Sequence, residues 1–336
     1  MAKKKGKTLP TVGVVGSGSF ATAIVKMLLE NAKLVHWCVR NEFVKGALEL
    51  RGHNPNYLTS VTFDVKKLKL TTDINELVSA CDIVVLATPS IYLADAIEKM
   101  TCDYEGKLFV SAIKGIVPKH NDVVAHYLRD VFKIGFRSQA VIAGPCHAEE
   151  VAMERLSYLT IAAAEKEHID ALRELFTSDY IKVSCSKDIL GNEYSAILKN
   201  IYAIAAGIAS GLGYGDNFNA VLVSNAIREM ELFLDAIYPE HREVNDSAYL
   251  GDLLVTAYSL FSRNRNLGNL IGKGYTVKSA VQSMSMVAEG YYATRGIYEI
   301  AYEKKLKTPI INTVFSILYE GKDAEKQFKK LTEKLT

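Results

Sequence analysis

Three short stretches of this sequence carry residue types and spacings that could do chemistry. The first reads Gly16-Ser17-Gly18-Ser19-Phe20-Ala21, directly after the β-branched run at 11–15 and at the start of a helical pattern. This is G-x-G-x-x-A, in which Gly16 permits a tight turn, Gly18 lets the backbone approach a pyrophosphate, Ala21 allows close helix packing and the helix N-terminus supplies an anion site. The expected ligand is a dinucleotide. A dinucleotide that carries hydride needs a partner that moves a proton, usually His or Lys. Lys199, in "EYSAILKNIYAIAAG", is the candidate. Ile197, Ile201, Ile204, Ala205 and Ile208 form an apolar stripe at helical spacing, while Lys199 falls on another line with Ala203, Ala206 and Ser210. Small neighbours leave room for a ligand beside the amine, and burial there would bring its pKa towards neutrality. The other reading is a lysine that snorkels to the surface. The third stretch is "SLFSRNRN" at 259–266, where Ser262, Arg263, Asn264 and Arg265 precede a short apolar run. An exposed helix start with solvated arginines would look like this. So would an anion site made of an N-cap serine, unpaired N–H groups and an arginine fork. Position 265 is neither Glu nor Gln, so the reciprocal capping box of a purely structural helix start is missing.

Other positions support these three. Lys114 follows the strand pattern "KLFVSAI", at the carboxyl end where open α/β sheets bind ligands, and "AGPCHAEE" at 143–150 is placed alike. Asp252, in "YLGDLLVT", is a lone acid among apolar residues, suited to a helix start or to pairing with Lys199. The Cys146–His147 pair invites a thiol-nucleophile reading, but chain neighbours seldom present a productive base to a sulfur. The second strand pattern, "LVHWCVRN", ends in Arg40 where a carboxylate would hold the ribose hydroxyl of NAD. An arginine there suits the 2′-phosphate of NADP, adenine stacking or plain solvent exposure.

Positioning these residues takes a sheet and a helical unit. The runs at 11, 34, 82, 107, 139, 158 and 180 read as strands, and 19–31, 90–100 and 119–132 as helices between them. This is the βαβ pattern of a parallel, doubly wound, Rossmann-like sheet. The long segment joining the strands at 34 and 82 reads as an insertion of local helix and loop. Beyond about residue 187 no strand pattern remains, and apolar positions follow a period near 3.6 almost to the C-terminus. The pattern predicts a dinucleotide-binding domain over 1–187 and an all-α substrate and catalytic domain over 188–336, with a cleft between them. The closing "EGKDAEKQFKKLTEKLT" reads as an amphipathic helix with a solvated charged face.

Bulk properties exclude several function classes. A chain of 336 residues is long enough for two cores. Its net charge of +2 gives no reason to expect nucleic acid or an anionic membrane as partner, so any anion site must be local. The five cysteines are odd in number and widely spaced, which suits a reducing cytoplasm and offers neither a metal site nor a disulfide framework. "MAKKKGK" followed by an apolar run and "ATA" at 21–23 imitates a leader peptide, but glycines and serines at 16–19 break the run. "IYAIAAGIASGLGYG" at 201–215 is too short and too rich in small residues to span a bilayer.

Six motifs in order, "GSGSFATA", "IKGI" at 113, "GPCHAEE", "ILKNIYAIAAGI" at 197, "GDLLVTAYSLFSRNRNLG" at 251 and "VAEGY" at 287, extend the reading. Together they resemble the bacterial-type NAD(P)-dependent glycerol-3-phosphate dehydrogenases over nearly the whole chain, from Gly16 to about Gly321. The resemblance implies reversible reduction of dihydroxyacetone phosphate to sn-glycerol 3-phosphate, supplying glycerophospholipid synthesis, in a cytoplasmic homodimer that prefers NADPH and can use NADH. It implies that Lys199 transfers the proton with Asp252 bonded beside it, and that Lys114 contacts both substrate and cofactor. Ser262, Arg263 and Asn264 would hold the substrate phosphate, with Arg263 also near the cofactor. Gly144 and Cys146 would line the substrate. Gly16, Gly18, Ser19, Phe20, Arg40, Ala148, Val287 and Glu289 would line the cofactor. Two departures stand out: Phe20-Ala21 where the family usually has Trp or Tyr followed by Gly, and Cys146 where it has Ser or Thr. The second replaces a strong hydroxyl donor with a weak one. The rival readings are another two-domain hydroxyacid or ketoacid reductase, whose substrate carries a planar carboxylate, and a non-catalytic NADPH-binding regulator.

Overall fold

A computed structural model describes residues 9–336; the basic stretch "MAKKKGK" lies outside the described residues. In chain order the first part runs β1 (Val12–Val15), α1 (Ser19–Leu29), β2 (Val35–Cys38), α2 (Glu42–Arg51), β3 (Leu68–Thr71), α3 (Ile74–Ala80), β4 (Ile83–Leu86) and α4 (Leu93–Ile97). It continues with β5 (Leu108–Ser111), α5 (Val124–Phe132), β6 (Gln139–Ala143), α6 (Ala148–Ala152), β7 (Ser157–Ala163), α7 (Lys166–Phe176) and β8 (Ile181–Ser186). The strands form an eight-stranded sheet ordered β3-β2-β1-β4-β5-β6-β7-β8. β1, β4 and β5 are buried along their whole length, as strands covered by helices on both faces must be. Their side chains feed two apolar layers, one on each face, with Trp37, Met27 and Phe176 in one and Leu77, Phe109 and Tyr127 in the other. The chain reverses direction across the sheet between β1 and β4, which opens a crevice at their carboxyl ends.

From Ile189 onward the described residues contain helices and no strand: α8 (Ile189–Gly211), α9 (Asp216–Ile237), α10 (Asp252–Tyr258), α11 (Arg263–Gly272), α12 (Val277–Ser283), α13 (Glu289–Glu303), α14 (Pro309–Leu318) and α15 (Ala324–Thr332). The Rossmann-like sheet followed by a helical part is therefore what the chain forms, with two differences from the pattern. β7 pairs antiparallel with β6, and β8 runs parallel to β7, so the sheet is mixed rather than parallel. Alternation and β-branching identify a strand, but they carry no information about its direction. The segment between β2 and β4 holds α2 and α3 as expected, and also β3, an edge strand reading Leu-Lys-Leu-Thr with Lys69 facing out. Charged edges protect a sheet from further pairing and at the same time blur its sequence signature.

α8 is the axis of the helical part. It starts at Asp188, whose carboxylate accepts from Gly191 N, and nearly every side chain from Ile189 to Ala209 is buried. The apolar stripe read from its sequence is thus one side of a helix covered all round. α8 and α11 touch backbone to backbone through Gly207 and Gly211 on one helix and Gly268 and Gly272 on the other. A Cβ on Gly268 would run into the Ile204 carbonyl, with Ile208 N and Gly207 Cα just behind, and none of these can turn aside. Gly268→Ala is expected to destabilise by about 1–3 kcal/mol through overpacking. Gly46→Ala on α2, where a Cβ meets nothing within 4 Å, should instead stabilise by about 0.5–1 kcal/mol. Thermal denaturation of both variants checks the pair: equal shifts would mean that the crossing tolerates a methyl group.

Candidate active site

The glycine turn between β1 and α1 lies at the mouth of the crevice. Gly16 has φ +123°, and a Cβ there would approach the Ala87 carbonyl at the end of β4 to 2.6 Å, so the turn needs glycine twice over. Two contacts far off in sequence fix its shape. Trp37 Nε1 donates to Gly16 O at 2.6 Å, and Asn54 Nδ2 donates to Ser17 O at 3.0 Å and to Thr22 Oγ1 at 2.8 Å. Thr22 in turn donates to Gly18 O. Gly18 occupies the N-cap of α1 with no side-chain cap, and a Cβ built on it would meet nothing within 4 Å among the described residues. An open space over an uncapped helix N-terminus suits the pyrophosphate of a dinucleotide. Arg40, exposed at the end of β2, donates its backbone N–H to Ser17 Oγ at 3.4 Å.

Lys199 and Asp252 come together 53 residues apart in sequence, both almost completely buried, with Nζ donating to Oδ1. Asp252 is the first residue of α10, directly after a π-helical turn at Ser247–Gly251, a local widening often found at functional sites. Its other oxygen, Oδ2, lies 3.6 Å from Lys114 Nζ. Lys114 itself stands between three neighbours: Asp252, the Phe20 ring at 5.2 Å and the Gly144 carbonyl at 3.5 Å. Gly144 has φ +98°, and a side chain there would strike the Tyr158 carbonyl. Burial pushes the Lys199 ammonium down to about 7; Asp252 opposes the shift and the Lys114 charge adds to it. A buried lysine poised near neutrality beside a carboxylate is what a proton-transfer group requires.

Ser262 caps α11 as its sequence suggested, accepting from Arg265 N at 3.3 Å. The helix start then separates the two arginines. Arg263 lines the same cleft as Lys114, Lys199 and Asp252, with Nη1 donating to the Val287 carbonyl at 3.3 Å, whereas Arg265 is not among the lining residues. Asn264 accepts from Gly290 N at 2.9 Å, which ties α11 to the start of α13. Glu289 accepts from Ser90 N at 2.9 Å and from Ser90 Oγ at 2.5 Å, and burial moves its carboxyl upward.

Ser19, Phe20, Cys146, Ala148, Ser262, Asn264, Val287 and Glu289 all line this cleft, so most of the residues picked from sequence meet in one place. Gly16, Arg40 and Gly144 flank it. The Cys146 thiol is pushed up to about 12, chiefly by burial, which leaves no thiolate for nucleophilic chemistry. Asn200, Thr256, Phe261 and His147 also line the cleft, although none stood out as a binding residue in the sequence. Asn200 was legible as the neighbour of Lys199; its Nδ2 donates to the Lys114 carbonyl at 2.8 Å and joins the two lysine-bearing segments.

Known proteins resemble this chain over nearly its whole length. A family model described as the N-terminus of NAD-dependent glycerol-3-phosphate dehydrogenase matches residues 11–169, and one described as its C-terminus matches 188–329. A glycerol-3-phosphate dehydrogenase [NAD(P)+] from Chlorobium limicola is 34% identical over 318 residues, covering 94% of this chain and 95% of that protein. The crystal structure of glycerol-3-phosphate dehydrogenase from Coxiella burnetii superposes with a TM-score of 0.90 at 26% identity, covering 97% of this chain and 99% of the other. A ketopantoate reductase of the PanE/ApbA family from Ralstonia eutropha reaches a TM-score of only 0.59 at 16% identity, over 94% and 99% of the two chains, which is a likeness of fold alone. Both parts of the sequence thus match one family, and over almost the full length: the chain belongs to the NAD-dependent glycerol-3-phosphate dehydrogenases.

Proposed function

We propose that Lys199, Asp252, Lys114 and the start of α11 carry out the family's reaction in this chain. The protein is an oxidoreductase that interconverts dihydroxyacetone phosphate and sn-glycerol 3-phosphate with NAD(P). The observation that carries the residue roles is the buried Lys199–Asp252 pair facing a cleft that Arg263 also lines. When bound, the reduced nicotinamide supplies the hydride for the carbonyl carbon. Lys199 Nζ gives a proton to the carbonyl oxygen, and the negative charge of Asp252 holds the ammonium in place and favours its protonated form. Arg263, Ser262 and Asn264 anchor the phosphate, while Gly144 and Cys146 line the rest of the substrate. Gly16, Gly18, Ser19, Phe20, Ala148, Val287 and Glu289 hold the cofactor, with Lys114 and Arg263 serving both ligands.

The reading includes a dinucleotide-binding domain over 1–187, a helical domain over 188–336, a homodimer in solution and a cytoplasmic enzyme feeding glycerophospholipid synthesis. No described helix is long and apolar enough to cross a membrane. Loss of absorbance at 340 nm with NADPH tests the substrate reading: dihydroxyacetone phosphate should be reduced and a branched 2-keto acid left untouched. Turnover of the keto acid alone would favour the ketoacid-reductase alternative, and turnover of neither would favour the silent regulator.

Cofactor preference rests on Arg40. It is exposed beside the glycine turn, and no acid stands at the end of β2 to accept the ribose 2′-hydroxyl of NAD. NADPH should therefore be favoured in kcat/KM by roughly five- to a hundredfold, a preference that shrinks as salt rises. Arg40→Asp should reverse it, since a carboxylate repels the 2′-phosphate and accepts the 2′-hydroxyl. Measuring kcat/KM for both cofactors on wild type and variant decides, and an unmoved ratio would put specificity elsewhere.

A further inference from the structure

His147 lies on the turn between β6 and α6, at the N-cap position of α6, yet its side chain makes no capping bond. His147 lines the cleft shared with Lys114, Lys199 and Asp252, and its Nε2 is buried with no hydrogen-bond partner among the described residues. The Phe261 ring packs beside it, with centroids 6.4 Å apart, and the Val255 backbone lies next to it. A polar atom shut away from water inside a binding cleft needs an explanation, and a ligand that supplies the missing partner is the direct one. The chemistry of that partner follows from the charge of the ring. Burial, reinforced by the Lys199 and Lys114 charges, drives the imidazole down to about 4, so it is neutral at physiological pH. A neutral ring nitrogen suits a hydroxyl, which both donates and accepts; a phosphate dianion only accepts, and Arg263 stands in the cleft for it. The residue just before it, Cys146, brings a weak S–H donor to the same place.

We propose that His147 is a substrate-recognition residue whose Nε2 hydrogen-bonds the free hydroxyl of the three-carbon phosphorylated ketone. This rests on the reading of the cleft given above. The ketone has three polar handles. Arg263 takes its phosphate and Lys199 its carbonyl oxygen, and of the three handles the terminal hydroxyl is the one that suits a neutral, unpartnered ring nitrogen.

The test compares dihydroxyacetone phosphate with acetol phosphate, which differs only in lacking that hydroxyl. Wild type should prefer dihydroxyacetone phosphate. His147→Phe, which fills the space without a polar atom, should lose about tenfold in kcat/KM for dihydroxyacetone phosphate and stay within about twofold on acetol phosphate. His147→Gln, which keeps a donor and an acceptor, should retain most of the discrimination. Quenching of tryptophan fluorescence by NADPH verifies that each variant is folded. If both variants fail to fold, wild type still decides, because equal kcat/KM on the two ketones overturns the proposal. A His147→Phe variant that weakens both substrates equally, or neither, also overturns it and leaves the reading of Lys199 and Arg263 intact. A wild type inactive on both ketones would instead bring down that reading itself.

Discussion

Lys199→Met is expected to bind NADPH as wild type does and to lose about a hundredfold or more in kcat, the usual scale for removing a general acid. Methionine matches the length of the lysine stem and suits the apolar walls of α8, so the fold should survive. The substitution leaves Asp252 buried with Lys114 as its remaining cation, 3.6 Å from Oδ2. That is a cost in stability and does not replace the proton donor, because Lys114 Nζ is divided between Asp252, Phe20 and the Gly144 carbonyl. Single-turnover reduction with saturating NADPH separates the chemical step from binding. A variant that kept more than half of wild-type kcat would remove Lys199 from the mechanism.

Arg263→Ala should raise KM for dihydroxyacetone phosphate by the equivalent of roughly 2–5 kcal/mol, the range for truncating one partner of a charge-assisted pair. Arg265→Ala should change KM by no more than about threefold, since a rim charge acts mainly through screened, longer-range attraction. The contrast follows from helix geometry. Two residues apart on α11 is more than half a turn, and of the two arginines Arg263 lines the cleft. If both variants behaved alike, the run at 262–265 would be a solvated helix start after all.

That contrast also marks how far the sequence could be read. On spacing alone, Ser262, Arg263, Asn264 and Arg265 favoured an exposed helix start over an anion site, and only the direction in which each side chain leaves α11 separates the arginines. The glycine turn was legible because its chemistry is local: positive φ, close approach and a helix start all fall within six residues. Its supports were not. Trp37 and Asn54 reach the turn from 21 and 37 residues away, and nothing in the neighbourhood of Asn54 distinguishes it from any polar loop residue. Lys199 was visible as a lysine among small residues, but the depth of its burial depends on α10, α11 and α13 packing around α8, which a helical period does not reveal. The antiparallel turn of β7 was hidden for a similar reason: strand direction is decided by connections, and a connection has no periodicity. The link from Glu289 to Ser90 spans 199 residues and joins the helical part to the sheet at the cleft. The resemblance named Glu289 as a cofactor residue, but its bond to Ser90 had no signal in the sequence.

In the proposed mechanism a buried lysine, brought near neutrality and held by Asp252, moves the proton. The pH dependence of kcat/KM tests it most directly, measured in both directions between about pH 5.5 and 9. In ketone reduction Lys199 must start protonated, so kcat/KM should fall as pH rises through about 7, the value to which burial lowers it. In alcohol oxidation it must start neutral, so kcat/KM should rise through the same pH. Mirror-image limbs near 7 that vanish in Lys199→Met are the predicted result; profiles flat across that range in both directions, in an enzyme that turns over, would contradict it.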